Sequence, residues 1–414
     1  MNNEADYVGN VAAGVPPVAG LQRFKMIFIL GGLTALGPLS VDMYLPALPG
    51  IATDMDTSAS LVQLSLTFFL LGLAFGQLLA GPFSDIHGRR GPLLGGLIIY
   101  SLSSLLCALS SSIGALIVLR LIQGLSGAAG IVIARAIVRD LYSGPAMTKF
   151  ISRLMLVTGA APVLAPIAGG QLLRFTSWQG VFFVLAIVGI GLVITVTFGI
   201  PETLPAERRS TGGIKTTMIT LTKLFRDRIF MGYALAQGFV AGAMFAYISG
   251  SPFVLQNVFG VSPQIFSLLF AVNSVGIIIA SQVTGRLAGK IPERKLFIIG
   301  IGISFIGGLS LLAAVLTQVG LYGVLLSLFM VVSSVGIVMT TGFSLAMQNQ
   351  GKVAGSASGL QGVLTFISGA LVAPLVGLGG EYTAVPMAIV IAVLGVGTVL
   401  CYALLIRLQS AEHN

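Results

Sequence analysis

The chain has 414 residues, of which 56% are hydrophobic and 8% charged, and its net charge is +9. Soluble domains carry about a quarter charged residues and need them to stay dispersed. The composition therefore excludes a water-soluble globular protein and a disordered one, and leaves a membrane protein.

A helix needs about 20 apolar residues to cross the hydrocarbon, whereas a barrel strand shows about ten alternating ones. Long unbroken apolar runs recur near 24–46, 61–82, 92–110, 114–134, 155–173 and 178–200. A second set follows near 230–256, 264–285, 296–316, 320–345, 355–378 and 385–406. The expected fold is an all-α membrane protein of twelve transmembrane helices, with 54 Gly and 17 Pro for close packing and bends. Residues 1–22 have no basic segment ahead of Arg23, so they read as a flexible cytoplasmic tail rather than a cleaved signal peptide. The longest hydrophilic stretch, 201–228, is short and basic and reads as a cytoplasmic linker. It separates a six-helix bundle at 23–200 from another at 229–407, and a second tail covers 408–414.

Internal repetition supports the two halves. Gly81-Pro-Phe-Ser-Asp85-Ile-His87-Gly88-Arg89-Arg90-Gly91 follows the second span, and a worn counterpart at 285–295 follows the eighth. Ala165-Pro166 leading into Gly169-Gly170 in the fifth span is echoed by Ala373-Pro374 and Gly377 in the eleventh, and Pro46 by Pro252. Six-helix halves related about the membrane normal describe a secondary transporter with its site between them. Twenty of the 22 Lys and Arg fall on one side of the spans, which makes that side, and both termini, cytoplasmic. The positive charge thus reports orientation, and no nucleic-acid partner is expected. Cys107 and Cys401 lie in apolar runs and suggest neither a disulfide nor a metal site. Trp178 reads as an interfacial anchor.

Several segments carry a family resemblance. Gly81-x3-Asp85-x2-Gly88-Arg89-Arg90 resembles the loop signature of the major facilitator superfamily, and Arg120-x2-Gln123-Gly124-x2-Gly127 the fourth-helix motif of its drug–proton antiporters. Gly159, Pro162, Pro166, Gly169 and Gly170 resemble the fifth-helix antiporter motif, although Ala165 stands where that pattern usually has Gly. Ser40-Val-Asp42-Met-Tyr44-Leu-Pro46 and Pro201-Glu202-Thr203-Leu204-Pro205 are similar to the bicyclomycin and chloramphenicol resistance (Bcr/CflA) branch. The resemblance covers about 24–407 and implies a multidrug antiporter of the bacterial inner membrane.

The residues carry their own chemistry. Asp42 and Arg120 are charged groups inside apolar runs, at similar depth, and intramembrane charges mark functional sites by default. Burial and a nearby guanidinium act on a carboxyl in opposite directions, so Asp42 is the candidate proton carrier and Arg120 its tuner. A fixed ion pair that only holds the helices is the alternative. In the 81–91 segment, Gly81 and Gly88 permit a tight turn, while Asp85, Arg89 and Arg90 offer a conformational switch with Asp140 as partner of Arg89. By resemblance the switch steadies the outward-open state, and Gly289 at the position matching Asp85 makes it one-sided. The fifth-span prolines and glycines make a stiff bend against the other half. Tyr44, Gln123, Tyr247, Phe253 and Asn273 are candidate substrate contacts, and His87 and His413 are not expected to relay protons. The expected function is proton-coupled export of drug-like small molecules, by a monomer among membrane lipids, with no cofactor and no metal. The alternatives are a proton-linked transporter of a metabolite such as an amino acid or sugar, and a membrane enzyme or channel. No Gly-x4-Gly-Lys-Ser/Thr sequence or catalytic set supports the last class.

Overall fold

A computed structural model of the chain describes residues 21–142, 144–209, 221–348, 350 and 354–407. Residues 1–20 and 408–414, residues 210–220 of the linker, and Lys215, Lys352 and His413 lie outside them. The described residues contain no strand, only an isolated bridge between Ala288 and Ile291. Eleven helices among them are long and apolar enough to cross a membrane. The remaining expected span is the fifth in the chain, the 29-residue helix Gly144–Leu172.

Local chemistry sets several helix starts. Ser58 accepts the backbone N–H of Leu61 at 3.4 Å and opens the second span, Ala59–His87. Ser262 does the same for Ile265 at 3.3 Å at the matching eighth span, Pro263–Leu287. Such caps satisfy donors that the first helical turn leaves free. Asp227 caps the seventh span, Arg228–Phe253, through the N–H groups of Ile229 and Phe230. The first and seventh spans both break near proline. Helix Leu21–Asp42 passes into a tight turn at Leu45–Ala47 and a short helix, Leu48–Asp54, while Pro252 precedes a wide turn at Val254–Val258.

The fourth span, Ile113–Leu141, runs seven residues past the expected end at 134, which places Arg135 and Arg139 on the helix rather than in a loop. The fifth helix begins correspondingly early, at Gly144. Hydropathy marks where hydrocarbon ends, and Ala134-Arg135-Ala136-Ile137-Val138 has good helix formers on both sides of its charge.

Packing follows side-chain size. Gly72 and Gly124 let the second and fourth spans touch backbone to backbone, because a Cβ on either would strike the other helix's main chain. Ile187, Ile190, Ile194 and Phe198 recur at helical spacing on the sixth span, Gln179–Gly199, and stay exposed, forming a lipid face. The halves meet where the second span packs on the eleventh, Ala354–Gly377, and the fifth on the eighth.

The two ends of the molecule differ. At the face where the second span starts, Gln63 donates to the Ser249 carbonyl at 3.0 Å, and Gln256 to that of Pro46 at 3.3 Å. Gln264 donates to the Gly170 carbonyl at 3.0 Å. Each bond joins one bundle to the other, so this far face is closed. The opposite face carries the 81–91 segment and the basic residues. There a cavity of about 340 Å³ lies among the second and fourth spans, Leu221 and the start of the eleventh, with Gln77, Asp85, Arg135, Arg139 and Ser358 in its walls.

Candidate transport site

Arg120 is fully buried at the centre of the first bundle. It donates to Gln123 Oε1 at 2.6 Å and to the Ser40 carbonyl at 3.1 Å, and Gln123 in turn donates to Ser104 Oγ at 2.7 Å. Its guanidinium carbon lies 4.1 Å from the Phe69 ring centre and 4.7 Å from that of Tyr44. Aromatic faces attract a cation, and that attraction strengthens where water is excluded. Tyr44 is fixed beneath it by a 2.6 Å hydrogen bond with Ser65.

The expected pairing of Asp42 with Arg120 is not formed. No ion pair or hydrogen bond is made by Asp42 among the described residues, although the residue is only 5% exposed. The cause is helix phase. Ser40 turns its hydroxyl to Tyr100 of the first bundle at 2.6 Å, and a side chain two positions on points about 200° away around the helix. Asp42 instead interacts electrostatically with Tyr247 of the second bundle. Tyr247 accepts a hydrogen bond from Asn273 Nδ2 at 2.9 Å and stacks on Phe270 at 5.2 Å. Of the candidate substrate contacts, Tyr247 and Asn273 therefore come together, within electrostatic range of Asp42. Tyr44 and Gln123 belong to the shell of Arg120, and Phe253 is buried at the end of the seventh helix.

The switch residues form one cluster on the basic face. Arg89 Nε donates to Asp140 Oδ2 at 2.8 Å, and its NH1 to Asp85 Oδ1 at 2.5 Å and to Ser84 Oγ at 2.8 Å. Burial works to lower the affinity of Arg89 for its proton, yet the bonds to Asp140 and Asp85 outweigh it and raise the pKa. Arg90 NH2 donates to the Thr197 carbonyl at 2.7 Å, near the C-terminus of the sixth helix. Gly88, at φ +88°, makes the turn; Gly81 lies inside the second helix and does not.

Glu202, just beyond the sixth helix, completes the cluster. Its carboxylate accepts the backbone N–H groups of Arg89 at 2.8 Å, Arg90 at 3.1 Å and Leu204 at 2.9 Å. Burial pushes the carboxyl upward, but the backbone donors prevail and hold it below the usual range. All three carboxylates of the cluster come from the first bundle. Gly289, at φ +83°, has a positive φ as Gly88 does and stands where Asp85 stands in the first half; the acidic residue of its segment is Glu293, in the first turn of the next helix.

The fifth span meets the second bundle through what its prolines lack. Pro166 has no N–H to give the carbonyl of Pro162, and Ser274 Oγ of the eighth span lies 3.2 Å from that carbonyl, sharing its hydrogen between it and the Phe270 carbonyl of its own helix at 3.1 Å. A Cβ on Gly169 would strike the Met43 carbonyl, and one on Gly170 would strike Ser267. Gly159 faces open space. Trp178 is 3% exposed and meets Phe182 edge-on, so it is a core residue and not an interfacial anchor. His87 contacts the Phe83 carbonyl and ring. Both cysteines are free and buried, and the described residues hold no group of three or more potential metal ligands.

The family described as Major Facilitator Superfamily matches residues 30–374. The chain belongs to this superfamily. It is 48% identical to "Uncharacterized MFS-type transporter YdgK" of Bacillus subtilis (strain 168), over 89% of this chain and 92% of that protein. It is 34% identical to a "Bicyclomycin resistance protein homolog" of Haemophilus influenzae, over 92% of this chain and 96% of the relative. These relatives support a drug-efflux family within the superfamily, whose members are transporters rather than enzymes. The fold matches the crystal structure of the nucleoside transporter NupG with a TM-score of 0.76 at 12% identity, covering 93% of this chain and 100% of that one. Superfamily membership accounts for the paired bundles. It leaves the polar contacts of Glu202, Gln63 and Ser274, none anticipated from the sequence, to be explained by this chain's own geometry. A glutamine inside an apolar run, as at Gln63, was the available signal.

Proposed function

We propose that the protein exports drug-like or related small molecules from the cytoplasm in exchange for protons, by alternating access to a site between its bundles. Asp42 carries the reading. It is the one buried acidic side chain among the described residues, it has no ion-pair partner there, and it lies within electrostatic range of Tyr247 of the second bundle. An intramembrane carboxylate in that position binds a proton or a ligand as access changes. Arg120, held by Gln123, Ser40 and aromatic rings while its Nε–H is buried without an acceptor, is a fixed charge that holds the first bundle's geometry. The Asp85–Arg89–Asp140–Glu202 cluster sets the switch. The basic face is cytoplasmic, with both termini there, in the bacterial inner membrane. The proton gradient supplies the energy, no cofactor is needed, and the unit is a monomer.

The test uses purified protein in liposomes with a lumenal pH probe, an imposed proton gradient, and a panel of chloramphenicols, bicyclomycin, fluoroquinolones, sulfonamides, amino acids and sugars. Opposed substrate and proton fluxes that vanish in Asp42→Asn are expected. Fluxes in one direction would make the protein a symporter of a metabolite, and undiminished exchange by Asp42→Asn would remove the carrier assignment.

A further inference from the structure

The extension of the fourth span puts Arg135 and Arg139 one turn apart on a single helix face. Arg135 stands six residues before the helix ends at Leu141, about 9 Å inside it at ~1.5 Å per residue. Both side chains line the 340 Å³ cavity, and both also line a second cavity of about 240 Å³ within the first bundle. Met147, Ile151 and Leu154 give this second cavity apolar walls, and Thr34 and Thr158 complete it.

The charges around these arginines are otherwise committed. Asp85 and Asp140 are held by Arg89, and Thr203 also donates to Asp140 at 3.3 Å. Among the described residues Arg135 and Arg139 make no ion pair. The threonine hydroxyls donate to main-chain carbonyls, Thr34 to Gly31 at 2.9 Å and Thr158 to Leu154 at 3.1 Å. The two guanidiniums are therefore the charge-recognising groups of an otherwise apolar cavity. Topology alone asks for basic residues near a helix end; it does not ask for two on one face above an apolar cavity.

We propose that Arg135 and Arg139 bind the anionic group of a small amphiphilic acid whose apolar body occupies the 240 Å³ cavity. Planar guanidiniums match carboxylate or phosphate oxygens in a fork geometry, and the cavity, at about 240 Å³, is smaller than sites for drug-sized ligands, which start at about 300 Å³, so it suits a small ligand. The ligand is a monoanion with one or two rings, or the charged end of a longer amphiphile. The inference rests on the export reading for the fate of the ligand, not for its binding. The same chemistry is offered by a soluble acid and by an anionic lipid headgroup.

The experiment measures equilibrium binding of radiolabelled 1-naphthaleneacetate, and of its uncharged amide, to the full chain in phosphatidylcholine nanodiscs without a proton gradient. The acid is expected to bind about tenfold more tightly than the amide, the worth of one charge-assisted hydrogen bond. Arg135→Gln with Arg139→Gln removes that preference, and the corresponding lysine variant, which keeps charge and fold, restores part of it. Competition by added phosphatidylglycerol identifies a lipid headgroup as the natural occupant; its absence identifies a soluble acid. Equal binding of acid and amide, or a preference that survives the double glutamine variant, overturns the site. Proton flux measured on the same preparations separates the two readings. Drug–proton exchange without acid binding removes this site alone, and acid binding without exchange removes the export reading alone.

Discussion

Ser40 and Asp42 sit two positions apart on the first helix and serve different bundles. Ser40 gives its carbonyl to Arg120, and Asp42 lies within electrostatic range of Tyr247. Groups with no shared partner contribute additively to stability within about 0.5 kcal/mol. Asp42→Asn and Arg120→Gln are therefore expected to show independent thermal shifts, with Arg120→Gln alone destabilising. A double-mutant cycle with coupling above 1.5 kcal/mol, on the order found for close charge pairs, would restore the ion pair. Glu202 makes a pH prediction. Its folded pKa is depressed, so the stability it supplies is complete above the unfolded carboxyl value, about 4.3, and is lost as pH falls through the lower folded value. Glu202→Gln should lower the melting temperature at neutral pH and converge with wild type as pH falls through that lower folded value; a gap that stays constant on acidification would contradict it. Both intramembrane charges were legible in the sequence because a charge stands out in an apolar run. Their separation was not, because it depends on helix phase beside the Leu45–Ala47 turn.

At the scale of elements, the fifth span shows how much of a motif survives translation into geometry. Its prolines and glycines predicted a bend and a close approach, and both bundles press on it at Gly169 and Gly170. The sequence did not disclose that the carbonyl left free by Pro166 is taken up by Ser274, a residue more than a hundred positions away. Pro166→Ala restores the local N–H, so it is expected to preserve or raise thermal stability while slowing transport. Ser274→Ala should lower stability by about 0.5–1.5 kcal/mol, the net worth of one hydrogen bond. Thermal unfolding and initial export rate, measured together on both variants, check this; faster export by Pro166→Ala would count against a working bend. The fourth span shows the converse failure. Its hydropathy ended at 134 while its helix continued to Leu141, since helix propensity and membrane solubility are separate properties of the same residues.

The whole molecule is closed at the far face and hollow at the basic one. The seal consists of neutral amide side chains on main-chain carbonyls, and interhelical hydrogen bonds in membranes average about 0.6 kcal/mol. Removing two of them, with Gln63→Ala and Gln256→Ala, should shift the balance of states by about eightfold toward opening at the far face. Spin-label distances across that face would report the shift, and an unchanged distribution would place the seal elsewhere. The paired bundles were readable from repeated motifs. The conformation was not, because every state of an alternating-access cycle shares one sequence.

The bond from Ser274 to Pro162 also limits how the bundles can travel. A carbonyl stripped of its partner in hydrocarbon is penalised, so sliding the bundles apart along this line carries a cost that turning about it does not. In the proposed alternating-access cycle, the missing hydrogen of one proline would thus serve as an axle between the two halves.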